Sequence, residues 1–131
     1  MASFGGEAGD SMTSLLNDQT SHGHDVLTLD WASFERATDL SRVSLVKMDI
    51  EGAEFHVLPS LLPWLKRHRP ALYLSTHGPF LDADTRAQRL ETLSDQLSFY
   101  ATCRDDQGGT SSRLQINDRS LNKFPTYLFT G

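Results

Sequence analysis

The sequence predicts an α/β domain built on a mainly parallel sheet. Two observations carry this expectation. Apolar, β-branched runs of strand length alternate with stretches whose apolar residues recur at helical spacing. Two of those runs, "VSLVKMDI" from Val43 and "ALYLSTH" from Ala71, are joined by a helical stretch, which is the βαβ arrangement of parallel strands. A length of 131 residues fits one such domain with a single core.

Residues 1–24 are rich in Gly, Ser, Asp and Asn, with one short apolar patch at Leu15-Leu16. They read as a flexible polar arm, and the folded part is expected over 25–131. "VLTL", Val26–Leu29, is a short strand candidate. Asp30 stands where a helix N-cap belongs, before "WASFERA", whose Trp31, Phe34 and Ala37 share a face. The run from Val43 has the length and β-branched content of a strand. After Gly52, helical spacing sets in with Phe55, Leu58, Leu61, Leu62 and Leu65. Pro59 and Pro63 are costly inside a helix, so two helical pieces are expected, each proline near the start of a turn. The second piece ends in "LKRHRP": its basic residues match the C-terminal dipole, and Pro70 stops it.

Ala71–His77 is the next strand, closed by Gly78-Pro79. Leu90, Leu93, Leu97 and Tyr100 then recur at helical spacing, with Asp84 or Thr85 as the cap. "YATCRD" is a short strand, "DDQGGTSS" a loop, "RLQI" from Arg113 a small strand candidate, and "TYLFTG" the final strand. No internal repeat is visible.

Composition narrows the function classes. Hydrophobic residues make up 38% and charged residues 22%, ordinary usage for a soluble domain. No apolar run approaches the roughly 20 residues of a membrane span. The opening "MASFGGEAGD" lacks the basic start and apolar middle of a signal peptide. The single cysteine, Cys103, excludes an internal disulfide and suits a reducing, cytoplasmic setting. A net charge of −5 disfavours nucleic acid as the main partner.

The chemistry concentrates in "SLVKMDIEGAEF", Ser44–Phe55. In a strand, Leu45, Lys47 and Asp49 share one face, and Val46, Met48 and Ile50 the other. A parallel strand covered on both faces reads as almost wholly apolar, so Lys47 and Asp49 break the pattern. A buried charge needs a partner, water or a ligand. The bland alternative has Lys47 snorkelling at an edge, while Glu51 and Glu54 favour the dipole of the next helix. Gly52, lacking a side chain, lets backbone and ligand approach closely.

Ligands of parallel sheets bind beyond the carboxyl ends of the strands. Asp49, Glu51 and His77 all fall at such ends. His77 reads either as a general base titrating near neutrality or as a hydrogen-bonded turn histidine. His22 and His24 have a spacing seen in metal sites, but they lie in the polar arm with no second cluster, and no metal ligand is assigned. "GGEAG" at Gly5–Gly9 does not match a dinucleotide fingerprint. "MDIEG" also contains the D-x-E of two-metal nucleases of the DEDD type, a reading that needs further carboxylates such as Asp82 and Asp84.

"LTLDW" followed by "VSLVKMDIEGAEFHVLPSLLPWLKRHRPALYL" resembles the FkbM family of S-adenosylmethionine-dependent methyltransferases. That family shows "TLD" before a helix, then an ordered block hKhDhEGaEhxvL (h apolar), then a strand after "rP". Thr28, Leu29 and Asp30 match the first motif. Lys47, Asp49, Glu51, Gly52, Ala53, Glu54 and Leu58 match the block, and Arg69-Pro70 match the approach to the strand. The likeness runs from about Val26 to His77 and, more loosely, to "TYLF". It implies a class I methyltransferase sandwich (Rossmann-like), with "SLVKMDI" as its fourth strand, "ALYLSTH" as its fifth, and an antiparallel final strand.

The resemblance implies S-adenosyl-L-methionine as cofactor and a hydroxyl on a small molecule or glycan as acceptor. It makes Asp49 and Glu51 candidates to orient that hydroxyl or take its proton, with Asp49 and Gly52 beside the cofactor. The family commonly carries an acidic residue near the end of the fifth strand. Here Ser75-Thr76-His77 stand there, so either His77 takes that role or the role is absent. A strand with a glycine-rich loop, the cofactor's main cradle in this fold class, is not visible. The chain is therefore expected to be the C-terminal part of the domain, with its fourth strand presenting an open edge to a partner segment or a second copy. A non-catalytic fragment, or one half of a split enzyme, is the alternative.

Overall fold

The computed structural model describes residues 2–4 and 24–131, with side-chain environments from residue 27 onward. Strands β1 (Ala2–Phe4) and β2 (His24–Val26) pair antiparallel in a small ribbon, with Ala2 opposite Val26. The rest of the expected arm, with Leu15-Leu16, Gly5–Gly9 and His22, lies outside the described residues. The strand expected over Val26–Leu29 stops at Val26, where its partner stops. Leu27 and Leu29 beyond it are exposed and not strand.

Helix α1 (Trp31–Ala37) starts as its sequence requires: the Asp30 side chain accepts the Ser33 N–H at 2.7 Å. Trp31 meets the Trp64 ring edge-on at 5.5 Å, whereas Phe34 and Ala37 stay exposed. There follow β3 (Leu45–Met48), α2 (Glu54–His68) and β4 (Ala71–Ser75). A 3-10 turn at Gly78–Phe80 leads to α3 (Arg86–Gln96), β5 (Thr102–Asp105), β6 (Thr110–Ser111), α4 (Asp118–Asn122) and β7 (Thr126–Thr130).

The five-stranded sheet has the order β3-β4-β7-β5-β6. Only β3 and β4 pair in parallel, with Leu45 opposite Ala71 and Met48 opposite Leu74. The expectation of a mainly parallel sheet is therefore corrected to a mixed one. The reason is non-local: β7 inserts between β4 and β5 and runs antiparallel to both, as expected of the final strand, so strands of one direction are kept apart.

Helices α2 and α3 cover one face of this sheet. Leu58, Leu61, Trp64 and Leu65 of α2, with Leu90 and Leu93 of α3, bury Met48, Leu72, Leu74, Cys103, Tyr127 and Phe129. The opposite face carries a cross-strand row of Lys47, Tyr73, Leu128 and Arg104, and among the described residues it remains largely exposed. A sandwich with helices on both faces is thus not seen among the described residues. Lys47 accordingly needs no buried partner; its charge stands in solvent.

Two further expectations change. The prolines do not divide α2, which is continuous from Glu54 to His68. Pro59 and Pro63 both lie on its exposed side, each removing one backbone donor. "RLQI" forms no strand. Leu114 and Ile116 pack into the core instead, and the Ser94 hydroxyl donates to the Leu114 carbonyl at 2.9 Å. On its outer side β5 pairs with Thr110–Ser111 instead. Helix α4, unforeseen in the sequence, begins with a reciprocal cap between Asn117 and Ser120.

Candidate functional site

The turn from β3 into α2 brings the carboxylates together. Glu51 and Gly52 both have left-handed backbones, with φ of 55° and 98°. This reverses the chain within two residues and suits glycine at the second. The Gly52 N–H donates to Glu54 Oε2 at 3.0 Å. Glu54 is fully buried in the first turn of α2. Its other oxygen, Oε1, accepts the His77 backbone N–H at 2.7 Å and lies 2.9 Å from His77 Nδ1. A buried carboxylate thereby obtains the hydrogen bonds its desolvation demands. It also ties the start of α2 to the end of β4.

His77 is buried, its ring stacked on Phe80 at 5.5 Å and tilted against Phe124 at 5.3 Å. Its Nε2 faces Asp49 Oδ1 and Glu51 Oε2, each at 3.6 Å. Burial pulls the imidazole pKa down. The Glu54 hydrogen bond and the charges of Glu54, Glu51 and Asp49 outweigh that, so the net direction is up.

The segment after His77 is fixed from below. A Cβ on Gly78 would fall 2.3 Å from the Ser120 carbonyl, so only glycine allows this approach to α4. The Arg86 guanidinium donates to the carbonyls of Pro79, Leu81 and Leu121, clamping the turn onto α4.

The structure therefore brings the predicted residues Asp49, Glu51 and His77 into one cluster at the carboxyl ends of the parallel pair, their ligand atoms within 4.8 Å of one another. Gly52 lies beside them, with a conformational task visible in its φ. Asp82 and Asp84, the extra carboxylates of the nuclease reading, are not in this group. A separate groove of about 360 Å³ between α1 and α2, lined by Trp31, Phe34, Val57 and Leu61 among others, contains none of the three. Sequence reasoning gave Glu54 only the helix dipole and missed its bond to His77. It also missed Phe80 and Phe124, for which the only signals were apolar residues beside Pro79 and Pro125 in otherwise polar turns.

The family model of the methyltransferase FkbM domain matches residues 2–99, about three quarters of the chain. The chain belongs to the FkbM methyltransferase family. The matched stretch holds Asp49, Glu51, Gly52, Glu54 and His77. It starts upstream of Val26, where the sequence likeness begins, and ends before α4, β7 and Phe124. No curated protein and no solved structure matches the chain. Among the described residues, no helix is long and apolar enough to cross a membrane.

Proposed function

We propose that this FkbM-family chain serves S-adenosylmethionine-dependent methylation of a hydroxyl group on a small molecule or glycan, in a cytoplasmic setting. The observation that carries the reading is the convergence of Asp49, Glu51 and His77 at the ends of β3 and β4. When bound, the cofactor supplies an electrophilic methyl group. The protein's own task is to seat the acceptor oxygen in line with it and to remove the hydroxyl proton. Asp49, the most exposed of the three, is positioned to receive the hydroxyl, with Glu51 and His77 behind it. Glu54 acts through His77 as a positioning residue, fixing the ring while Phe80 and Phe124 shield it.

The residues present fit the cofactor in part. The exposed Asp49 carboxylate suits its cationic portion. The Gly52 N–H is already taken by Glu54, so Gly52 offers the cofactor only the lack of a side chain. Calorimetric titration with S-adenosylmethionine tests the reading: saturable heat is expected, and none at high micromolar cofactor overturns it for this chain alone.

A second reading, a non-catalytic methyltransferase-like segment or one half of a split enzyme, is favoured by a different observation. Among the described residues β3 pairs on one side only, and the face carrying Leu45 and Tyr73 is uncovered. A partner segment or a second copy seated there would complete the sheet. Cofactor binding that appears only when a segment supplying a strand and glycine-rich loop is added would select this reading.

A further inference from the structure

We propose that Asp49, Glu51 and His77 form a binding site for a divalent transition-metal cation. No spacing in the sequence marks this set, because His77 comes from a different strand end than the two carboxylates. Folding places their ligand atoms within 4.8 Å of one another. An ion with bonds of about 2.1 Å holds adjacent ligands roughly 3 Å apart. Asp49 is exposed and free to close the remaining gap by rotating its side chain.

The direction of the imidazole supplies an independent observation. Both Glu54 oxygens already accept backbone N–H bonds, from Gly52 and His77. A carboxylate so engaged accepts rather than donates, so the hydrogen between Glu54 Oε1 and His77 Nδ1 belongs to the ring. In the neutral ring the Nε2 lone pair then points at two carboxylates, 3.6 Å from each. Three acceptors facing one point favour positive charge between them. A proton on Nε2 satisfies this; a cation satisfies it with all three as ligands. The buried Glu54–His77 pair is also the carboxylate–histidine arrangement that orients a metal-binding imidazole through its far nitrogen.

One nitrogen and two carboxylate donors suit manganese, iron(II) or zinc better than calcium or magnesium, which prefer oxygen throughout. His77 and Glu51 close the inner side, while Asp49 leaves an outer side open to solvent. An acceptor hydroxyl that enters as a ligand there loses its O–H proton to water more readily than a free one, with Nε2 on the metal rather than acting as base. That consequence rests on the methyl-transfer reading, but the cation site itself does not.

The test is titration of the full chain with Mn²⁺, without cofactor or acceptor, following loss of the free-ion electron paramagnetic resonance signal. One ion per chain is expected. Asp49→Asn, a change at an exposed side chain, should weaken binding at least tenfold, as should His77→Gln; Glu54→Gln should weaken it by about tenfold through misorientation of the ring. Asp84→Asn should match the wild type. No bound Mn²⁺, unchanged affinity in Asp49→Asn, or an equal loss in Asp84→Asn overturns the site. Such an outcome leaves the methyl-transfer reading standing, since calorimetry with S-adenosylmethionine judges that separately.

Discussion

One oxygen of Glu54 holds both the backbone N–H and the ring Nδ1 of His77, at 2.7 Å and 2.9 Å. The two residues are 23 positions apart and link the first turn of α2 to the end of β4. Glu54→Gln keeps the shape but turns one acceptor into a donor, so a buried N–H loses its partner. The expected cost is about 1–3 kcal/mol of folding stability, and Glu54→Ala, which leaves several donors unsatisfied, should cost more. Urea unfolding midpoints measure both, and a Gln variant as stable as wild type would contradict the assignment.

Glu51 separates backbone strain from chemistry. Its φ of 55° is unfavourable for a residue with a side chain, while glycine adopts it freely. Glu51→Gly should therefore hold stability within about 1 kcal/mol of wild type, relief of strain offsetting the greater freedom of the unfolded chain. The same change removes a carboxylate facing His77 and should lower methyl transfer in the active enzyme. Circular-dichroism melting paired with turnover checks this split; a strongly destabilised Gly variant would show that the Glu51 side chain mainly holds the fold.

The cluster is legible in the sequence because two strand ends of a parallel pair must lie at the same edge of the sheet, which places Asp49, Glu51 and His77 together. The Glu54–His77 bond is not, since sequence shows where Glu54 sits on a helix but not that its carboxylate turns inward. Lys47 misleads for a specific reason. The alternation of Leu45 and Lys47 with Val46 and Met48 is the period-two signal of a strand covered on one face, whereas an expectation of two covered faces makes Lys47 look out of place. The insertion of β7 between β4 and β5 is a long-range pairing that no local pattern encodes.

The prolines of α2 carry a prediction in the stabilising direction. Both stand at exposed interior positions of a continuous helix, each removing one backbone donor. Pro59→Ala or Pro63→Ala restores that donor; the gain, up to about 3 kcal/mol, outweighs the 0.4–1 kcal/mol or so lost through a freer unfolded chain. Each variant should unfold at higher urea than the parent. A drop in midpoint for both would mean that α2 is built as two pieces after all.

Alkaline pH should act through two phenols. Burial raises Tyr100 to about 12, against a smaller opposing effect of Arg69, and its hydroxyl donates to the Pro70 carbonyl at 2.7 Å. Tyr127 rises to about 12 for the same first reason, with Cys103 and nearby acidic charges adding to it. The folded state thus keeps protons that the unfolded state releases near pH 10. Stability from these groups is complete below pH 10 and disappears as pH rises toward 12. Absorbance at 295 nm should show Tyr100 and Tyr127 ionising late, together with loss of helical circular dichroism. Tyr100 and Tyr127 titrating near pH 10 without unfolding would refute it.

Among the described residues β3 is an edge strand, and Lys47 is the charge on it. The Ala71 N–H donates to the Ser44 carbonyl, and alternation in a parallel pair then turns the backbone groups of Val46 and Met48 toward β4 and those of Leu45 and Lys47 outward. An outward N–H beside the exposed Leu45 is a template for another strand, and a lysine there opposes pairing by its charge. Lys47→Val removes the charge and leaves the N–H free, so sedimentation velocity should show concentration-dependent association beyond that of wild type. Lys47→Pro removes both without breaking a β3–β4 hydrogen bond, because only the outward donor is lost. It should remain less associated than Lys47→Val at every concentration. Equal association of the two variants would place the contact on the open sheet face, where Tyr73 and Leu128 lie, rather than on the strand edge.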